Sequence, residues 1–118
     1  MDEVITLFRP VGKAELDLIE KSGFREFPPR LPEQPVFYPV LNQEYAEQIA
    51  RDWNARLNND RLGFVTKFDV KANYLERFVV QIVGGSRHEE YWIPSEDLNE
   101  FNRNIVGEIE VIKRFEGS

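Results

Sequence analysis

Two spacings of apolar side chains organise this chain. In one, β-branched and aromatic residues gather in short runs; in the other, they return every three to four positions. Val4 to Phe8 reads as a strand, as do Val36 to Leu41, Gly63 to Val70, Phe78 to Val83, Glu90 to Ile93 and Glu108 to Phe115. Within the third run Phe64, Thr66, Phe68 and Val70 share one face, and Ile109, Val111 and Ile112 supply the apolar side chains of the last. Pro39 inside the second run marks an edge or a bulge.

The helical spacing is clearest from Gln43 to about Leu57, where Tyr45, Ile49 and Trp53 recur at i, i+4 and i+8 beside Ala46 and Ala50. Glu44, Glu47, Gln48, Arg51 and Asp52 fall on the water side, Asn42 is a suitable N-cap, and Asn58-Asn59-Asp60 ends the helix in a turn. A shorter helix spans Lys13 to Lys21, with Leu16, Ile19 and Leu18 inward and Gly23 at its C′ position. A third begins at Pro94-Ser95, capped by Ser95, and runs through Phe101. Between the first two helices, the four prolines of Phe27 to Pro35 forbid helix and predict a stiff, extended surface loop. Strands and helices do not alternate strictly, so the expected class is α+β, a single domain with six strands and three helices.

Composition narrows the chemistry. The chain has 118 residues, enough for one domain with its own core, and nine Phe, four Tyr and two Trp to fill it. Trp53 and Trp92 are expected in that core. A net charge of −6, with no Lys/Arg run, argues against nucleic acid as a partner. Without cysteine, thiolate catalysis, disulfides and cysteine-held zinc are excluded, and a lone His88 makes no histidine metal site. No metal is therefore expected. No basic start with an apolar run and no stretch of roughly 20 apolar residues is present, so no membrane span and a cytoplasmic location are expected.

The most informative segment is Glu89-Glu90-Tyr91-Trp92-Ile93-Pro94-Ser95. Strand alternation lets only one of the two glutamates, Glu89 or Glu90, face a cleft. With Arg9 on the first strand and Tyr38 on the second, that glutamate supplies what a nucleotide needs: a guanidinium fork for phosphate, a flat ring for a base and a carboxylate for ribose. Arg30, on the proline loop, is a candidate second clamp. Each has a plainer alternative: Arg9 as a solvated strand end, Tyr38 as a core or rim aromatic, Glu90 as a surface acid, and the loop as a connector. Gly84-Gly85-Ser86-Arg87-His88 reads as a turn, with a phosphate-holding nest as the alternative, and His88 is expected to be solvated.

These segments together resemble a family of short bacterial proteins usually named for ADP-ribosylation (ADP-ribosylation/crystallin J1). The shared pattern runs through Leu7-Phe8-Arg9-Pro10-Val11-Gly12, Phe27-Pro28-Pro29-Arg30-Leu31-Pro32, Phe37-Tyr38-Pro39-Val40-Leu41-Asn42, Tyr45-Ala46 and Glu90-Tyr91-Trp92-Ile93-Pro94. The order of elements is also similar to the ADP-ribosyltransferase fold with its split antiparallel sheet. That likeness implies NAD as substrate, Arg9 and Tyr38 as its binding residues, and Glu90 as the catalytic carboxylate, with Arg30 added to the binding residues by the reading of the proline loop as a clamp. The sequence departs from the pattern at Val40, where a Ser or Thr often follows the aromatic. An alternative of another class is a non-catalytic protein-binding module on the same fold, a regulator or a toxin-neutralising protein.

Overall fold

The computed structural model describes residues 3–54, 61–84 and 88–117, without the side chains of Trp53 and Asn54. The end expected for the long helix, its Asn58-Asn59-Asp60 turn, the core role of Trp53 and the Gly85-Ser86-Arg87 part of the nest lie outside the described residues.

Strand β1 (Val4–Val11) leads into α1 (Lys13–Lys21), and β2 (Val36–Phe37) into α2 (Gln43–Ile49), which continues as a π-helical stretch, Ala50–Asn54. Then come β3 (Leu62–Lys71), a one-turn helix α3 (Ala72–Leu75), β4 (Val80–Ile82), β5 (Glu89–Tyr91) and β6 (Ile93–Pro94). A 3-10 turn, Ser95–Asp97, precedes α4 (Leu98–Arg103) and the last strand, β7 (Ile105–Glu116). The domain is α+β, and every ladder among the described residues is antiparallel. The expected elements are present with different bounds: the strand expected from Glu90 to Ile93 divides into β5 and β6, that from Phe78 to Val83 shortens to β4, and the described residues hold seven strands and four α-helices rather than six and three. The expected strand from Val36 to Leu41 survives as β2 plus an isolated bridge at Val40. The first and last strands are longer than expected, α3 was not expected, and Ser95 makes no side-chain cap.

β3 is central, paired on one side with β1 and on the other with β7. Its place explains its composition: Phe64, Val65, Thr66, Phe68 and Val70 are all buried, because both faces are covered. The larger core holds Leu7, Ile19, Phe27, Phe37, Phe68 and Phe101, under α1, the proline loop and α4. The smaller, Val40, Ala46, Ala50 and Val65, lies under α2, whose alanines let the helix approach the sheet. At the end of α1, Gly23 takes a φ of 78°, while Phe24 N–H bonds the Ile19 carbonyl and Gly23 N–H that of Glu20. The proline loop is tied down by Asn102, whose amide bonds both the N–H and the carbonyl of Phe27 at 3.0 Å.

Candidate functional site

The site forms where the sheet comes apart, and Pro10 accounts for the opening. Phe8 and Val40 exchange both backbone hydrogen bonds, at 2.8 and 2.7 Å. In that register the next hydrogen-bonded pair is Pro10 with Tyr38, and Pro10 has no N–H to donate. Pairing therefore stops after one bridge, and the Tyr38 carbonyl meets Arg9 Nη1 at 3.5 Å instead. The other side of this segment stays paired. Val36 faces Pro94, Phe37 faces Ile93 and Val40 faces Glu90 in one unbroken register, which sets Tyr38 opposite Trp92.

Strand alternation then sorts the side chains. Phe37, Tyr91 and Ile93 point into the core, whereas Tyr38, Val40, Glu90 and Trp92 line a cleft of about 520 Å3. Arg9, Pro10, Ile49 and Val83 complete its walls. Arg9, Tyr38 and Glu90, three of the four residues expected from sequence, thus meet around one cavity.

Arg9 is only 7% exposed, so it is not a solvated strand end. Its Nε and Nη2 donate to the two carboxylate oxygens of Glu15, at 2.8 and 3.1 Å, and its guanidinium lies 4.5 Å from the centre of the Phe37 ring. With Nη1 near Tyr38, two of the five guanidinium N–H groups remain for a ligand. Arg30 sits beside this group and does not line the cleft wall. Burial, then the charge of Arg9, lower its affinity for its proton, against the opposing influence of Glu15 and Tyr38. Its Nε is buried with no hydrogen-bond partner among the described residues.

Glu90 is equally buried, at 7% exposure, and both of its oxygens are held. Tyr45 donates its hydroxyl to Oε2 at 3.1 Å, and Trp92 donates its indole N–H to Oε1 at 2.7 Å. Asn42 caps α2 by accepting from the Tyr45 N–H at 3.1 Å, so the helix start also fixes the tyrosine. Burial, then the charge and hydrogen bond of Glu90, push the Tyr45 phenol up to about 12. Near neutral pH it is a fixed neutral donor.

Two expectations are corrected here. Trp92 is 44% exposed and stands on the rim, edge-on to Tyr38 with ring centres 6.3 Å apart, rather than in the core. The indole cannot enter the core because alternation gives that face to Tyr91 and Ile93, and its N–H finds Glu90 instead. His88 is not simply solvated: it stacks on Tyr45 at 4.2 Å, nearly parallel, with Nδ1 3.1 Å from the Val83 carbonyl. Sequence reasoning missed the roles of Tyr45, Glu15 and Trp92. The Trp92 signal was there, since residues 90 and 92 of a strand share a face.

Among the described residues no group of three His, Asp or Glu could hold a metal ion, and no helix is long and apolar enough to cross a membrane. No protein-family model matches the chain, and no curated protein matches it significantly.

Proposed function

We propose that the cleft binds a nucleotide, with NAD as the substrate and cleavage of its nicotinamide–ribose bond, by transfer or hydrolysis of ADP-ribose, as the reaction. The observation carrying this reading is the meeting of a buried arginine, two rim aromatics and a buried carboxylate on one cavity of nucleotide size. Arg9 offers its two remaining N–H groups to a phosphate, and Arg30 adds charge beside it. Tyr38 and Trp92 provide flat faces for the nicotinamide. Glu90 faces the ribose, where as a carboxylate it accepts a hydrogen bond from a ribose hydroxyl and stabilises the oxocarbenium-like charge that develops at C1′. The C1′–N bond breaks with its electron pair going to the cationic nicotinamide, which leaves neutral. Water or an acceptor side chain then bonds to C1′ and loses its proton.

The test is calorimetric titration of NAD, paired with release of free nicotinamide. Binding to the unaltered protein, with release lost in Glu90→Gln, is the expected result; no heat at millimolar NAD in folded protein overturns the reading.

The second reading is a non-catalytic binding module, a regulator or toxin-neutralising protein. It is favoured by Val40, which puts an apolar side chain where a hydroxyl orients the glutamate in the fold this sequence resembles, and by the occupation of both Glu90 oxygens. NAD binding without nicotinamide release, together with a stoichiometric protein partner, would select it.

A further inference from the structure

The two outer strands of the sheet are finished in different ways. β7 carries Glu108, Glu110, Lys113, Arg114 and Glu116 along its edge and is irregularly paired, with two register shifts against β3. Such charges and bulges block the addition of another strand. At the opposite side, Phe78 to Val83 has no charged residue and no proline. Val79 is 74% exposed, Ile82 65% and Val83 40%.

The backbone of this strand is also unfinished. Gln81 faces Glu90 in the β4–β5 ladder, and Val83 N–H bonds the His88 carbonyl, so alternate residues point their polar groups at β5. Tyr91 N–H and the Glu89 carbonyl instead turn away, to Pro39 and Leu41. The N–H and carbonyl groups of Val80 and Ile82, the partners of Tyr91 and Glu89, therefore point outward, with no partner among the described residues.

We propose that this edge pairs with the same edge of a second copy of the chain, antiparallel about a two-fold axis at Gln81. In that register Val80 of each copy and Ile82 of the other exchange two hydrogen bonds, giving four in all. Every exposed apolar side chain gains an apolar neighbour: Ile82 meets Val80, and Val79 meets Val83. Gln81 meets Gln81, an amide against an amide, and no charge meets its like. The patch is self-complementary, as a two-fold interface requires. Val83 also lines the cleft, so Val79 of one copy comes to stand beside the cleft rim of the other, and both clefts open on the same side of the joined sheet. The contact is short, well below the roughly 1,200 Å2 of a stable interface, so the association is weak and depends on concentration. Because each chain carries −6, added salt strengthens it.

Sedimentation equilibrium over micromolar to millimolar chain, with hydrogen exchange read at Val80 and Ile82, tests the pairing. The expected result is a rise from the mass of one chain toward that of two, with slower exchange at both amides as concentration rises. Gln81→Lys, which sets two ammonium groups against each other on the axis, is expected to weaken association about tenfold or more. Val79→Lys, at a position too exposed to disturb folding, is expected to do the same. A single-chain mass through millimolar concentration overturns the proposal. So does a dimer that neither variant weakens, or one in which these two amides exchange freely, whether or not the cleft binds a nucleotide.

Discussion

Glu90 shows how far one residue's surroundings decide its use. A carboxylate oriented by a phenol and an indole has little rotational freedom left, which suits a group that must meet developing charge in one position. Tyr45→Phe removes one of those donors while keeping the ring that stacks on His88. The expected loss of stability is about 1 kcal/mol, seen as a lower urea midpoint, with a larger proportional loss in nicotinamide release than in NAD affinity. Tyr74 is the opposite case. Its hydroxyl is buried without a partner among the described residues, while its ring packs between Phe78, Phe101 and the Arg77 guanidinium. Tyr74→Phe keeps those contacts and removes the unpaired hydroxyl, so the urea midpoint should rise, by about 1 kcal/mol in stability. Of the residue-level features, that only one of Glu89 and Glu90 would face the cleft was legible because strand alternation is strict, whereas the choice of Glu90 rested on the family resemblance. The burial of Arg9 was not legible, because its partner Glu15 belongs to a helix face that sequence alone reads as solvated.

Among the elements, the long strand expected from Val36 to Leu41 fails for a reason the sequence displays but does not place. Pro39 was visible as an interruption; that Pro10 would stand across from Tyr38 depends on the register between β1 and this segment, which is a tertiary fact. The gap left by Pro10 is what gives the cleft its width. Pro10→Val restores an N–H opposite the Tyr38 carbonyl, so the ladder should extend by one bond. The valine amide should then exchange slowly, with stability raised by up to about 1 kcal/mol and ligand binding weakened as the walls close. Helix α2 gives the complementary case: its N-cap, its alanines and Tyr45 were all legible from spacing, whereas its change to π-helical hydrogen bonding from Ala50 was not. Asn42→Ala should cost about 1 kcal/mol in thermal or urea unfolding and loosen Tyr45 along with the helix start.

At the scale of the whole molecule, composition and periodicity carried the class, α+β in a single domain, because both depend only on local pattern. The order β7-β3-β1, with Val40 joining β1 to β5 by isolated bridges, depends on contacts far apart in the chain and was not readable. Alkaline pH probes this assembly as a unit. The phenols of Tyr45 and Tyr74 are each raised to about 12 from an ordinary 10.0, and Tyr91 is raised as well, with burial the leading cause in all three. A raised phenol binds its proton more tightly when folded, so its contribution is intact below pH 10.0 and is lost as pH climbs toward about 12. Unfolding should therefore steepen across that window, with the phenolate absorbance of Tyr45, Tyr74 and Tyr91, isolated in a Tyr38→Phe variant, appearing together with loss of helix signal rather than before it.

The cleft as a nucleotide site is tested most directly by a nuclear magnetic resonance titration of NAD that follows the Trp92 indole N–H, identified with a Trp53→Phe variant. That proton touches Glu90 on one side and belongs to a rim ring on the other, so it reports both halves of the site. The expected result is a saturable shift of this signal together with the amides of Arg9, Tyr38 and Glu90, weakened about tenfold in Arg9→Met. An indole signal unmoved at millimolar NAD, or shifts confined to another face of the molecule, would contradict it.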